Sequence, residues 1–370
     1  MDLTLSGEQA ALRESARSLL ANKAPSQGIS AVLAAAEGYD TALHATMTSL
    51  GWTSFALVDD DDAGLIELGI VLTQLGYFAT PGPFLASMIA GVTLARLCGQ
   101  DAGVRARVRR VVAGEPSALV TGPGLAAVTE AGGGWRLHGV ASGVEWAPVA
   151  GQFVLAVESA DGTRIWAADA GPGGPRVVPQ IAMDRTRAGA AVLEDTPVGE
   201  PVATVAPQAW RGHLQLLRLL RAADLLGIGQ RVLTMAVEHV SVREQFGKRI
   251  GEFQAVQHHL ANVAIELDGA ESLVNEAFWR ESAGLPYQRH AAMAAWHTGD
   301  AAVRATQTAN QVHGGIGFMR EYHLHHFFHR ALAQRTRMGA EQDRLRDLGD
   351  LVIEDATADF RSAFVDWPVR

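Results

Sequence analysis

Residues 216–240 form an almost unbroken run of helix-forming side chains, broken in charge only by Arg218, Arg221, Asp224, Arg231 and Glu238. Stretches at 253–279 and 289–312 have the same character, and the helical signal continues to about residue 364. Helices this long gain their stability by burying a face against one another, so the last part of the chain predicts a helix bundle rather than short surface helices.

The rest of the chain divides around this bundle. From Ser6 to about residue 100 the pattern is again helical. Ser6 can cap a helix with Glu8 and Gln9 in its first turn, and Ala11, Leu12, Ala16, Leu19 and Leu20 recur at three- and four-residue spacing. A second apolar stretch, 65–78, stops at Thr80-Pro81-Gly82-Pro83. Asp59 to Asp62 just before it read as a solvated turn, because four adjacent carboxylates cannot converge on one cation. Between about Gly114 and Ala203 glycine and proline separate short alternating runs beginning at Trp135, Gln152, Thr163 and Ala190, which predict strands. Neither Gly122-Pro-Gly124 nor Gly132 to Gly134 continues into a dinucleotide fingerprint. The expectation is a mostly α, α+β chain with a helical segment at 1–112, a β-barrel or sandwich at 113–205 and a helical bundle at 206–370.

Composition excludes several function classes. With 31 Lys+Arg against 40 Asp+Glu the net charge is −9, which leaves no cationic surplus for nucleic acid. A single cysteine, Cys98, excludes a disulfide framework and a multi-cysteine zinc site. No apolar run approaches the roughly 20 residues that span a bilayer, and no basic stretch leads into an apolar one at the start. The expectation is a soluble, cytoplasmic protein.

Two segments carry chemistry. Arg243-Glu-Gln-Phe246, followed by Gln254, offers a guanidinium fork, an aromatic ring and an amide around a Gly-containing turn. Arg243 could grip a pyrophosphate bidentately while Phe246 stacks on a base and Gln254 donates a hydrogen bond. Gln311-Val-His-Gly314-Gly315 offers backbone free of side chains, where a phosphate or ribose can approach closely. Taken alone, each is more simply a helix end with a Gly cap or a Gly-rich turn.

Taken together, their order and spacing resemble the acyl-CoA dehydrogenase family over nearly the whole chain. The opening Leu5-Ser-Gly-Glu-Gln-Ala-Ala-Leu-Arg13 is similar to the family's first helix, and the Pro-Gly-Pro-Phe at residues 81–84 to the hinge before helices flanking the substrate. The resemblance implies an N-terminal helical domain, a middle β domain and a C-terminal four-helix bundle. It also implies oxidation of an acyl-CoA thioester at Cα–Cβ, with FAD taking the hydride, a glutamate taking the α-proton, and electron-transfer flavoprotein or a similar acceptor downstream. Matched position by position, Arg243, Phe246, Gln254, Gln311, Gly314 and Gly315 become residues that hold the ADP half of FAD bound by a neighbouring subunit. Arg218 matches an arginine near the CoA ester; a helix-surface charge explains it equally well.

The chain also departs from the family. The position of the usual glutamate falls on Met338 or Gly339, depending on the anchor used, and the alternative position on the earlier helix falls on Leu217. None of these can accept a proton. Glu341 is displaced by several ångströms from a contact that must be about 3 Å, and Asp224 reads more simply as a packing or inter-subunit carboxylate. The loop and strand that cover the flavin ring in the family become Val120-Thr-Gly-Pro-Gly124 and Gly143-Val-Glu145, with Trp146 shifted off register. This asymmetry resembles the heteromeric acyl-CoA dehydrogenases of steroid-degrading bacteria, in which one FAD serves two unlike chains. It predicts a chain that lends the ADP-gripping arm to an unlike partner. The alternatives are a self-sufficient enzyme with Asp224 or Glu341 as a relocated base, and a non-catalytic protein on the same fold. His325 and His329 share a helix face at metal-ligand spacing, but no carboxylate or cysteine nearby completes a set, so no metal is expected.

Overall fold

The computed structural model describes residues 3–58, 64–99, 101–129 and 134–365, with side chains described up to residue 354. Asp59 to Asp62 and Gly132 and Gly133 lie outside the described residues. Helix α1 (Gly7–Lys23) starts where the Ser6 hydroxyl accepts from the Gln9 N–H while the Ser6 N–H donates to the Gln9 side chain. Helices α2 (Ile29–Ala34), α3 (Thr41–Ser49) and α4 (Leu65–Tyr77) follow, then α5 (Phe84–Leu97) directly after Pro83, and α6 (Ala102–Val112) capped by Asp101. Every residue of α5 from Phe84 to Leu94 is buried. This explains its lack of a polar face: it runs through the interior with neighbours all round.

Two four-stranded sheets follow. The first orders β1 (Ser117–Thr121), β4 (Gln152–Ser159), β5 (Gly162–Asp169) and β8 (Ala203–Val205), with β1 parallel to β4 and the other pairs antiparallel. The second orders β2 (Leu125–Thr129), β3 (Trp135–Glu145), β7 (Arg187–Val198) and β6 (Arg176–Ile181), all antiparallel. Leu137, Phe153, Leu155, Trp166 and Leu193 fill the space between the sheets. The other face of β4 and β5, with Val154, Ala156 and Ile165, joins Ala90, Leu94 and Trp210 of the flanking helices. Strand β4 is therefore buried on both faces, which is why its apolar run is continuous where an alternating strand was expected.

The bundle consists of α7 (Pro207–Val242), α8 (Gln254–Ser282), α9 (Gln288–His313), α10 (Leu324–Arg337) and α11 (Glu341–Val365). It shares one apolar core with α1–α5. The seam between the two helical parts is tight at α4 and α7. A Cβ on Gly76 would lie 1.9 Å from the Asp224 carbonyl oxygen, and one on Gly227 would lie 1.9 Å from that of Thr73. Only glycine permits this backbone approach, and it fixes where the next residues of α7 point.

Candidate active site

Helix α7 presents Leu217, Arg221 and Asp224 at i, i+4 and i+7, and α10 presents Arg330, Gln334 and Arg337 at the same spacing. Each set lines one helix face, and the fold turns the two faces together. A cavity of about 260 Å³ opens at their upper end. Leu217 and Arg218 line it from α7, Met338 and Gly339 from the turn after α10, and Thr121 and Gly122 from the end of β1. Positions separated by about 120 residues of sequence, which all lack a proton-accepting side chain, thus share one cavity. Arg218 is held there by three bonds. Its Nε donates to the Met338 carbonyl at 3.0 Å, and its Nη1 to Gln215 at 3.1 Å and Asp347 at 2.5 Å.

The carboxylates of this cavity are ones the sequence reading did not single out for chemistry, Glu145 and Glu158. Glu145, at the end of β3, accepts from Arg221 and lies 3.3 Å from Arg337 Nε. Arg337 also donates to Asp184 at 2.7 Å and to the Thr186 hydroxyl at 3.1 Å, while Arg221 donates to Gln334 at 2.7 Å. One helical turn along, Asp224 is fully buried and takes two bonds from Arg330, at 2.5 and 3.1 Å; Arg330 also donates to the Thr80 carbonyl at 2.8 Å. Three carboxylates and three guanidiniums therefore balance to zero inside the protein, joining the second sheet, through the end of β3 and the β6–β7 turn, to α7, α10 and the Thr80 turn. Burial alone would raise the Glu145 carboxyl, but the charges of Arg221 and Arg337 outweigh it and hold the group below the usual carboxylate range. Asp184 is depressed for the same reason, burial being overcome by Arg337. The relocated-base candidates lie outside the cavity: Asp224 is consumed by Arg330, and Glu341 pairs with Arg335 at 3.1 Å. Trp146 does not line it either; the residue sits at φ +56°, buried edge-on against Tyr39.

The second group of sequence-singled residues lies at the far end of α7. Arg243 caps that helix and opens a hairpin of β9 (Glu244–Gln245) and β10 (Lys248–Arg249), closed by an Ile250 N–H to Arg243 carbonyl bond of 2.8 Å. Phe246 and Gly247 at its tip both have positive φ, as a type I′ turn requires, and the Phe246 ring is 92% exposed. Gln254 is exposed at the start of α8, and Gln311 at the last turn of α9. Gly314 ends α9 at φ 61° and ψ −137°, and it and Gly315 face open space. His239 and His313, which the sequence reading did not single out, stack at 4.3 Å between ring centroids, tying the end of α7 to the end of α9. They bring the Arg243 and Gly314 segments to the same end of the bundle. Arg243 makes no ion pair among the described residues. A free guanidinium, an exposed ring and bare glycine backbone fit the phosphates and base of a dinucleotide. His325 and His329 lie 5.9 Å apart between ring centroids, and no group of three metal-ligating side chains occurs among the described residues.

Residues 208–352 match the family described as acyl-CoA dehydrogenase, C-terminal domain. The acyl-CoA dehydrogenase FadE27 of Mycobacterium tuberculosis is 30% identical over 306 residues, which cover 78% of this chain and 81% of that protein. The chain belongs to the acyl-CoA dehydrogenase family. Among solved structures, a variant of the Tcur3481-Tcur3483 steroid acyl-CoA dehydrogenase is similar with a TM-score of 0.86 at 26% identity, covering 96% of this chain and all of that one. The ChsE4-ChsE5 complex from Mycobacterium tuberculosis matches with the same TM-score at 25% identity, over 96% of this chain and 99% of that one. The helix–sheet–bundle order is the acyl-CoA dehydrogenase fold.

Proposed function

We propose that this acyl-CoA dehydrogenase chain works as the subunit without a catalytic base in an assembly with an unlike family member, holding the ADP half of an FAD whose ring lies in the partner. One observation carries the reading. In the cavity where Leu217, Met338 and Gly339 meet, the buried carboxylate, Glu145, is taken up by Arg221 and Arg337 and the other, Glu158, is exposed, while Arg243, Phe246, Gln254, Gln311, Gly314 and Gly315 stand exposed toward the far end of α7 and the end of α9. When bound, the flavin supplies a hydride acceptor for the Cα–Cβ oxidation of an acyl-CoA. This chain's part is to grip: Arg243 forks onto the pyrophosphate, Phe246 covers the base, Gln254 and Gln311 bond to the linking groups, and Gly314 and Gly315 let the backbone approach. Arg218, with its donors turned to Met338, Gln215 and Asp347, orders the rim of the cavity beside a CoA ester. Electron-transfer flavoprotein or a similar acceptor reoxidises the assembly, in the cytoplasm; no helix among the described residues is long and apolar enough to cross a membrane. The solved relatives named as a steroid enzyme and as a two-protein complex support a bulky polycyclic acyl group and an unlike partner.

A self-sufficient enzyme would have to use Glu158, the cavity carboxylate with no ion pair among the described residues. The visible spectrum of the chain purified alone separates the two readings. A colourless chain that acquires a flavin band and activity only when co-expressed with an unlike acyl-CoA dehydrogenase is the expected result. A yellow chain bleached by acyl-CoA, and inactivated by Glu158→Gln, would overturn it.

A further inference from the structure

His239 lies one helical turn before Arg243 in the last turn of α7, and the Arg243 N–H donates to its carbonyl at 3.0 Å. Its ring stacks on His313, the residue before Gly314, with centroids 4.3 Å and planes 24° apart. The imidazole is thus set between the two segments that face the dinucleotide. The two stacked rings differ in what they have left to give. His313 is spent: its Nδ1 donates to the Ala309 carbonyl at 2.7 Å, and its Nε2 bonds to the Tyr322 hydroxyl at 3.0 Å. His323, next to Tyr322, has its Nε2 sealed from solvent. His239 is only half-buried, and its ring nitrogens carry no hydrogen bond among the described residues and are not sealed. A ligand can reach them.

Partial burial, then the His313 ring and the Arg243 guanidinium, hold His239 below the ordinary histidine range, so it is neutral in the free chain at neutral pH. Glu238 beside it is exposed, and Tyr322 stands behind His313. A pyrophosphate, with one negative charge on each phosphate, reverses this balance: it cancels the field of Arg243 and gives an imidazolium a charged acceptor. The negative ends of α7 and α9, which meet here, favour a cation as well. We infer, resting on the arm proposed above, that His239 is a further residue of that arm, taking a proton from solvent as the pyrophosphate arrives and donating it in a hydrogen bond beside Arg243.

A group that binds a proton more tightly in the complex than in the free chain makes binding take up protons and strengthen as pH falls. ADP-ribose is the probe, since it carries adenosine and pyrophosphate but no terminal phosphate titrating near pH 6. Calorimetric titration of the full chain at about pH 6.5, in buffers of different ionisation enthalpy, counts the protons; uptake of up to about one per ADP-ribose is expected. Binding should be about tenfold tighter at pH 6 than at pH 8, the gain of one charge-assisted bond. His239→Phe, which keeps a ring against His313, should abolish the uptake and flatten the pH profile, and His239→Gln does the same should the phenylalanine variant fold poorly. Binding without proton uptake, or uptake that survives both His239 substitutions, overturns the role of His239 and leaves the Arg243 arm standing. Absence of ADP-ribose binding at pH 6 also overturns that role alone, because the flavin content of the co-expressed Arg243→Ala complex still tests the arm. If Arg243→Ala binds ADP-ribose as tightly as the unaltered chain, the arm itself fails and His239 with it.

Discussion

The middle and the C-terminal end of α7 solve opposite problems. Near the middle, Arg221 and Asp224 are neutralised inside the protein by Glu145 and Arg330, and the polar atoms of the cluster are committed to one another. At its C-terminal end, Arg243 and Phe246 face solvent at a tight hairpin, and the guanidinium has no ion pair or hydrogen bond among the described residues. A charge already paired in a low-dielectric interior has little left to offer a ligand, whereas an exposed, pre-shaped fork has everything to offer one. In a chain with a single role at both ends of the cofactor, both would be open. The contrast teaches that one helix of a fold can carry a charge cluster committed to itself and, further along, an exposed cation with its donors unspent; on the function proposed above, these are the closed and the kept halves of a shared site.

The largest expected effect comes from breaking the closed end. Asp224→Ala would leave Arg330 buried without its counter-ion and should lower unfolding free energy by about 3–5 kcal/mol. Replacing both partners with apolar residues of similar volume should recover most of that loss; guanidinium titrations of single and double variants check both. At the open end, Arg243→Ala removes a charged bidentate contact worth about 1.5–3 kcal/mol, so FAD should be lost from the purified complex while the melting temperature of the chain alone is unchanged. Retention of the flavin by that variant would remove the arm from the proposal. Acid sharpens the difference. Glu145 and Asp184 have folded-state pKa values below their unfolded ones, so their stabilisation is complete above the unfolded values and is lost as pH falls through the folded ones. Unfolding should therefore set in below about pH 4, the unfolded carboxylate range, and Arg337→Ala should move it to higher pH while Arg243→Ala should not. The smallest effect is at the hairpin tip. Gly247→Ala, at φ +80°, should cost about 1 kcal/mol locally and weaken FAD retention without altering the closed end.

Much of this was legible in the sequence. Helix periodicity gave α1, α4, α8 and α9 to within a few residues and α7 without its first nine, and Ser6 and Gln9 form the capping pair that their spacing suggested. The inward strand faces were less legible, because β4 is covered on both sides and its pattern carries no period of two. The charge cluster was not legible at all. Glu145 meets Arg221 across 76 residues and Asp224 meets Arg330 across 106; each charge alone reads as helix surface or strand end, and only the glycine seam of α4 and α7 and the turn of α10 bring them together. The convergence of Leu217 with Met338 and Gly339 likewise needs the fold, since no local pattern links α7 to the end of α10.

The zero sum of the buried cluster bears on how such a chain can change over generations. With three positive and three negative groups sharing one interior, almost any single replacement among Glu145, Asp184, Asp224, Arg221, Arg330 and Arg337 leaves an orphaned charge. Such losses are strongly non-additive between neighbours. A descendant regaining an open, self-sufficient site would need coordinated replacements, each intermediate less stable than either end. If the proposed division of labour holds, closure of this cavity would act as a ratchet that keeps a chain of this kind to it.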